Sequence, residues 1–384
     1  MGRSLNLTGA LPLTAVERPQ RNVVELLEKS LVRLPGMSPE GLAALRTYSA
    51  QATQDSSRLR DMDGIKKPDF DDVWTRHRDA ENEGPTSRSV SELQRRLSLD
   101  WDRNPGIKAL IDVLTREGLA TPENLSHLER IYRTHGSDAA EKVAKTLADF
   151  AGHYRDGLGA EQKQLISDAL HDIAVPSDIN QRNVGSCAAT AAQMKLAIEK
   201  PEEYARILCD LARGQNTELL NGDTLRPNDT WRGDGDDRRS LSCKIMQNAF
   251  MQYAQGSYNS KTGKDDGLNW GQQENLLEGL FGDSDYDNDS TGMFTDKDDL
   301  YSYVEDDLSR GRAVVVSFPN HAVTVVGIDK RSTPHKVIID SWGGQYSMSV
   351  EEFKKYVQAV RSLDDSGWDD RKTPDGQLTI VGDH

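Results

Sequence analysis

Long apolar runs are missing from this 384-residue sequence. Without eighteen or more consecutive hydrophobic residues, no membrane-spanning helix is expected. Basic charge is also in deficit: 47 lysines and arginines stand against 62 acidic residues, a net charge of −15. No basic stripe interrupts that acidity, and binding through counterion release needs the opposite balance, so nucleic acid is excluded as a partner. The acidity bears on solubility instead. Cysteine is sparse and odd in number, with only Cys187, Cys209 and Cys243. That argues against a disulfide framework and for a reducing compartment. The opening Met1-Gly2-Arg3-Ser4-Leu5-Asn6 leads into no apolar segment of the kind a secretory leader needs. Asn6 stands where N-myristoylation requires Ser or Thr. The expectation is a soluble protein, cytoplasmic or exported without a Sec signal into the cytosol of a target cell.

The patterning that is present changes character along the chain. Residues 1–20 have little periodicity and are expected to be disordered. Residues 21–174 read as an all-helical domain. Val23, Leu27, Leu31 and Leu34 share a helical face, and Ser38-Pro39, Asn104-Pro105, Thr121-Pro122 and Ser137-Asp138 mark helix starts. Residues 60–90 are charged and broken by Lys67-Pro68 and Gly84-Pro85, which reads as a linker. Beyond Val175-Pro176 the composition shifts. A small-residue helix is expected over 187–199, a second over 202–211 and a third over 246–253. Polar loops are expected over 214–240 and 255–299. Short β-branched runs follow at 313–317, 323–328 and 337–339, with a last strand at 378–381. Helices first and strands second is an α+β order.

Three segments of the 175–384 region carry chemistry: Gln181 to Cys187, then Asn320-His321-Ala322-Val323, then Asp340-Ser341-Trp342-Gly343. A cysteine nucleophile must become a thiolate, and an ordinary thiol with a pKa of about 8.5 is not one at neutral pH. The first turn of a helix favours the anion through its unpaired N–H groups and dipole. Gly185-Ser186-Cys187, followed by Ala188-Ala189-Thr190, is such a placement. The glycine permits close approach, and the small residues allow central packing. His321 opens a strand-like run and is suited to act as base. Asp340, at the end of the next run, is suited to orient the imidazole. The backbone N–H of Cys187 and the Gln181 amide supply two donors for an oxyanion.

In these segments the sequence resembles the papain-like cysteine peptidases. A Gly-Ser-Cys segment is followed by the histidine and its orienting residue about 130 to 150 residues downstream. The glutamine six residues before the cysteine, the Asn-His-Ala-Val run and the Ser-Trp-Gly run all match. Ser349-Val350-Glu351-Glu352-Phe353 is similar to calpain-type variants. The resemblance covers roughly residues 175–384. It implies a central catalytic helix packed on an antiparallel sheet, with Cys187 as nucleophile, His321 as base and Asp340 as orienting residue. It further implies Gln181 in the oxyanion hole and Trp342 shielding the His321–Asp340 hydrogen bond. Three departures stand out. Asp340 replaces the usual asparagine, Ala188 replaces the aromatic after the cysteine, and Val184 stands where the family often has a disulfide cysteine.

The implied reaction is peptide-bond hydrolysis on a protein or peptide substrate through a Cys187 thioester, without cofactor or metal. Two other readings compete with it: acyl transfer on glutamine by a transglutaminase or deamidase, and a catalytically silent papain-like binding module. The helical domain would target, regulate, contact a protein partner or cover the cleft as a pro-region does. Cys209 and Cys243 read as core packing. His77, His127, His135, His153 and His171 read as surface residues of the helical half, without metal-ligand spacing. The acidic run Asp283, Asp285, Asp287, Asp289 lacks the glycine and glutamate of a calcium loop and reads as a solvated loop.

Overall fold

The computed structural model describes residues 75–76 and 87–363, apart from 183, 234–236, 263–266, 283–285 and 291–294. The expected disordered segment at 1–20, the helices expected near residues 23–34 and 39, and the strand expected at 378–381 lie outside the described residues, as do Asp283 and Asp285.

The first helices are α1 (Val90–Leu97), α2 (Pro105–Arg116), α3 (Pro122–Gly152) and α4 (Ala160–Ala174). Proline at the first helical position starts α2 and α3, where its missing N–H costs nothing. The Thr121 hydroxyl caps α3 by accepting from the Asn124 N–H. Gly136, at φ 81° and ψ 170°, bends α3 just where a separate helix is expected from Ser137. A 3₁₀ turn (Pro176–Asp178) then leads to α5 (Cys187–Glu199) and α6 (Pro201–Ala212). A two-residue hairpin, β2 (Thr217–Glu218) with β3 (Thr224–Leu225), precedes α7 (Leu241–Gln255) and α8 (Trp270–Phe281).

The remaining strands are β4 (Tyr286–Ser290), β5 (Val314–Phe318), β6 (His321–Asp329), β7 (Lys336–Ser341), β8 (Gly344–Ser349) and β9 (Ala359–Leu363). Together with β1 (Thr75–Arg76) they form a seven-stranded sheet in the order β1-β8-β7-β6-β5-β9-β4. Every pairing is antiparallel. Two more helices, α9 (Lys297–Ser309) and α10 (Val350–Tyr356), accompany the sheet. Ser349 opens α10 with a capping box to Glu352.

Strand alternation divides the core. Val315 and Ala322 face a large cluster contributed by the helices from α1 to α8. Val314, Val316, Val323, Val325, Val337, Ile339 and Val360 face a smaller cluster with Leu300, Val304 and Leu308 of α9 and Phe353 of α10. Helix α5 lies on the first face. Its residues from Ala188 to Ala197 are all buried, because alanine and threonine let the sheet approach closely. Thr324 of β6 donates to the Ala191 carbonyl at 3.0 Å. Lys195 of α5, itself buried, binds Glu199 at 2.6 Å and the Ala313 carbonyl at 2.5 Å, which fixes the helix to the start of β5. The architecture is α+β, with antiparallel pairing throughout the sheet.

Several expectations need correction. The polar stretch 255–299 contains α8, whose Leu276, Leu277 and Leu280 are buried, and β4, so it is not one loop. Asp287 and Asp289 sit in β4 at the sheet edge, paired with Ser362 and Val360, rather than in a solvated loop. The expected linker 60–90 contributes β1, which pairs with β8. The expected boundary at 174/175 is not a break in packing. One hydrophobic cluster runs from Leu93 to Ala322, and α4 packs on α5, α6 and α7. Among the described residues no helix is long and apolar enough to cross a membrane.

Candidate functional site

The nucleophile candidate sits at the junction of a tight loop and a buried helix. Cys187 is the first residue of α5 and is half-buried. The loop before it is closed on itself. The Val184 N–H donates to the Gln181 carbonyl at 3.3 Å, and the Ser186 N–H donates to the Val184 carbonyl at 2.8 Å. The Gln181 side-chain amide also donates to the Val184 carbonyl, at 3.0 Å. That occupies one of its two N–H groups. Arg182 takes a left-handed φ of 55° to complete the turn.

The backbone N–H groups of Ala322 from β6, of Ala188 and of Cys187 itself lie near the Cys187 sulfur. Each favours the thiolate, but burial outweighs them and holds the thiol above its ordinary pKa. The helix N-terminus alone would activate the thiol; the packed surroundings reverse the balance.

His321 begins β6 and is 9 % exposed. The two-residue link Pro319-Asn320, with Asn320 at φ 56°, turns the chain from β5 into β6 and pairs Phe318 with His321. The imidazole stacks on the Trp342 indole at 4.0 Å and 12°. Its Nε2 lies 2.7 Å from the Ser341 hydroxyl. Burial pushes its pKa down to about 3. No hydrogen bond joins the ring to the Cys187 sulfur among the described contacts. Ala322, which follows His321 in the chain, has its N–H beside the sulfur, whereas the His321 side chain lies on the sheet face away from α5, so the structure does not bring the imidazole to the thiol.

Ser341 is the hydrogen-bond partner of the imidazole Nε2, and strand alternation explains why it rather than its neighbour Asp340 takes that place. Asp340 pairs across with Thr324, whose hydroxyl points to α5, so both occupy the helix-facing side. Ser341 lies on the other side, with Val323 and His321. The Asp340 carboxylate accepts from the Gln345 amide at 3.0 Å.

Trp342 and Gly343 are the two central residues of the hairpin joining β7 to β8, at φ 45° and 69°. Positive φ at both positions is type I′ geometry, which prefers Asn-Gly. A tryptophan there is strained, and the strain places its indole on the histidine.

Sequence patterning named Ser186 but missed the residues behind the loop that hold it. Ser186 is fully buried, and its hydroxyl donates to Gln247 of α7 at 3.0 Å. Gln247 in turn donates to Gln193 of α5, which donates to the Tyr204 hydroxyl. Tyr204 and Ser242 both donate to Asp172 of α4, at 2.7 and 2.5 Å. Arg239 reaches Gln247 at 3.1 Å and pairs with Asp237 at 2.7 Å, the two side chains being 0 % and 2 % exposed. These polar residues carry no spacing signature, because the network joins four elements far apart in sequence. Asn180 was also missed: its amide donates to the Trp342 carbonyl at 2.7 Å. Cys209 and Cys243 are free thiols buried in the core. His171 is half-buried between Asp172 and Asp178, which raise its pKa to about 10, and is no simple surface residue.

No family model matches this chain, and no curated protein or solved structure shows significant similarity to it.

Proposed function

We propose that this chain is a papain-like cysteine peptidase, hydrolysing peptide bonds of a protein substrate with Cys187 as nucleophile and His321 as base and acid. The observation that carries the reading is the junction at Ala322. A cysteine at the first residue of a buried helix lies beside the N–H of the residue that follows His321, and the imidazole is fixed by a stack on Trp342 and a hydrogen bond to Ser341. The central helix on an antiparallel sheet supports the same reading.

With Nε2 held by Ser341, Nδ1 is the ring nitrogen left to take the thiol proton once the start of β6 shifts to turn the ring toward α5. Both groups rest neutral, since burial raises the thiol and lowers the imidazole. The thiol proton passes to His321 as the sulfur attacks the scissile carbonyl; such hydrogen bonds tighten in the substrate complex. The oxyanion is held by the Cys187 N–H and the remaining N–H of the Gln181 amide. The imidazolium then protonates the leaving amine, and the neutral ring activates water to hydrolyse the thioester. Asp340 stands two residues before Trp342, its carboxyl accepting from the Gln345 amide.

The test is cleavage of an unfolded protein substrate by the full chain under reducing conditions, read by mass spectrometry, beside Cys187→Ala. New peptide termini with the native chain and none with the variant are expected. Cleavage that survives in Cys187→Ala, or none with either protein, overturns the reading. Ammonia release from glutamine without chain cleavage would select the deamidase alternative.

A further inference from the structure

The Asn180 side chain bridges the loop before Cys187 and the hairpin turn after β7. Its Nδ2 donates to the Trp342 carbonyl at 2.7 Å, across 162 residues of sequence. Its Oδ1 accepts the Arg182 N–H at 2.7 Å, inside the turn that leads to the nucleophile. Its backbone N–H points to the buried Cys243 sulfur of α7. The residue is 6 % exposed. The fit against the turn is close. A Cβ on Gly343 would lie 2.4 Å from Asn180 Nδ2, so only glycine permits this contact, apart from its own φ of 69°.

We propose that Asn180 is a positioning residue, which ties the nucleophile loop to the Trp342–Gly343 turn and so fixes the loop that sets Cys187 relative to the turn whose indole carries the His321 imidazole. The argument is geometric. One end of the amide orders the loop that sets Cys187. The other end holds the carbonyl of the residue whose indole carries the imidazole. Trp342 occupies a backbone conformation unfavourable for its type, so the turn needs an external hold to keep the indole stacked. A hydrogen bond from a buried amide supplies it with direction as well as energy. Both functions need an amide specifically, a donor on one side and an acceptor on the other. The functional consequence rests on the peptidase reading; the tie itself does not.

Asn180→Asp tests it, because the shape is kept while the donor to Trp342 becomes an acceptor facing an acceptor. Two readouts on the full chain separate the tie from the reading. The first is the ring-current shift of the His321 ring protons by NMR, assigned with His321→Gln. Asn180→Asp should lose most of that shift at pH 7 and regain it as the new carboxyl is protonated and donates again. The second is the rate of iodoacetamide alkylation at Cys187, located by peptide mapping. It should fall roughly tenfold at pH 7 in the variant, the loss of about one hydrogen bond to geometry, and the ratio to the native protein should approach one as pH falls. An unchanged His321 shift, or a deficit in labelling that is the same at every pH, overturns the proposal. A lost and pH-rescued shift, together with no cleavage of an unfolded protein substrate by the native chain, would uphold the tie and sink the peptidase reading. Should Asn180→Asp fail to fold, Gly343→Ala presses on the same contact from the other side and must also unstack His321.

Discussion

Helix α5 meets a polar helical layer on one side and the sheet on the other, and the two hold it differently. Behind it, Ser186, Gln193, Gln247, Tyr204, Asp172, Ser242 and the Arg239–Asp237 pair make a buried chain of hydrogen bonds. In front, contact is mostly apolar, with Thr324 on the Ala191 carbonyl as a directional point. Hydrogen bonds fix orientation, whereas apolar contact fixes distance but tolerates sliding. The start of α5 at Cys187 is therefore oriented from behind. On the sheet side, the histidine is placed by a strained turn and a ring stack at the end of its strand.

The largest expected effect breaks the polar layer. Asp237→Ala leaves Arg239 charged and buried with only Gln247 as partner, and should cost about 3–5 kcal/mol. Ile339→Val, in the apolar sheet cluster, should cost about 0.5–1.5 kcal/mol. Urea unfolding followed by circular dichroism measures both, and equal losses would erase the contrast. Next comes the imidazole's partner. Ser341→Ala should lower peptide turnover about tenfold, the scale of one lost hydrogen bond, and Asp340→Asn should lower it less. The reverse order in kcat would return the orienting role to Asp340.

Smaller effects concern protons. Trp342→Asn suits the turn's backbone but removes the stack, so water should reach His321. Its pKa should move up from about 3 toward the ordinary 6.5 in an NMR titration; a value still near 3 would mean that other neighbours keep it dry. The two layers also hold histidines of opposite sign. His321 is depressed, so the unfolded chain takes its proton first, and its contribution is whole above pH 6.5 and lost as pH falls toward 3. His171, raised to about 10 between Asp172 and Asp178, contributes fully below 6.5 and loses that as pH rises toward 10. Melting temperature against pH should flatten on the acid side in His321→Gln and on the alkaline side in His171→Gln.

Much of the secondary structure was legible because local signals agree with it. Prolines at helix starts and the small-residue run of α5 correspond to observed elements. The β-branched runs at 313–317, 323–328 and 337–339 fall within β5 to β7 to within a residue or two. Helix α8 and strand β4 were hidden by composition. Trp270 to Phe281 is half polar, and Tyr286 to Ser290 is an acidic edge strand with little β propensity. At the site, motif spacing singled out Cys187, His321 and Trp342. It did not separate Ser341 from Asp340, because one residue of register decides which strand face a side chain takes.

The sequence by itself determined the α+β order, the start of α5 at the cysteine, and, among the described residues, the lack of a helix long and apolar enough to cross a membrane. Local propensity, capping and hydrophobic period act over a few residues, so they are readable there. Only the tertiary structure decided that the helices from α1 onward share a core with α5, that Ser341 meets the imidazole, and that Asn180 spans to Trp342. It also decided that the thiol and imidazole rest neutral. Those outcomes depend on which distant segments pack together and how much water they exclude, and no local pattern encodes either.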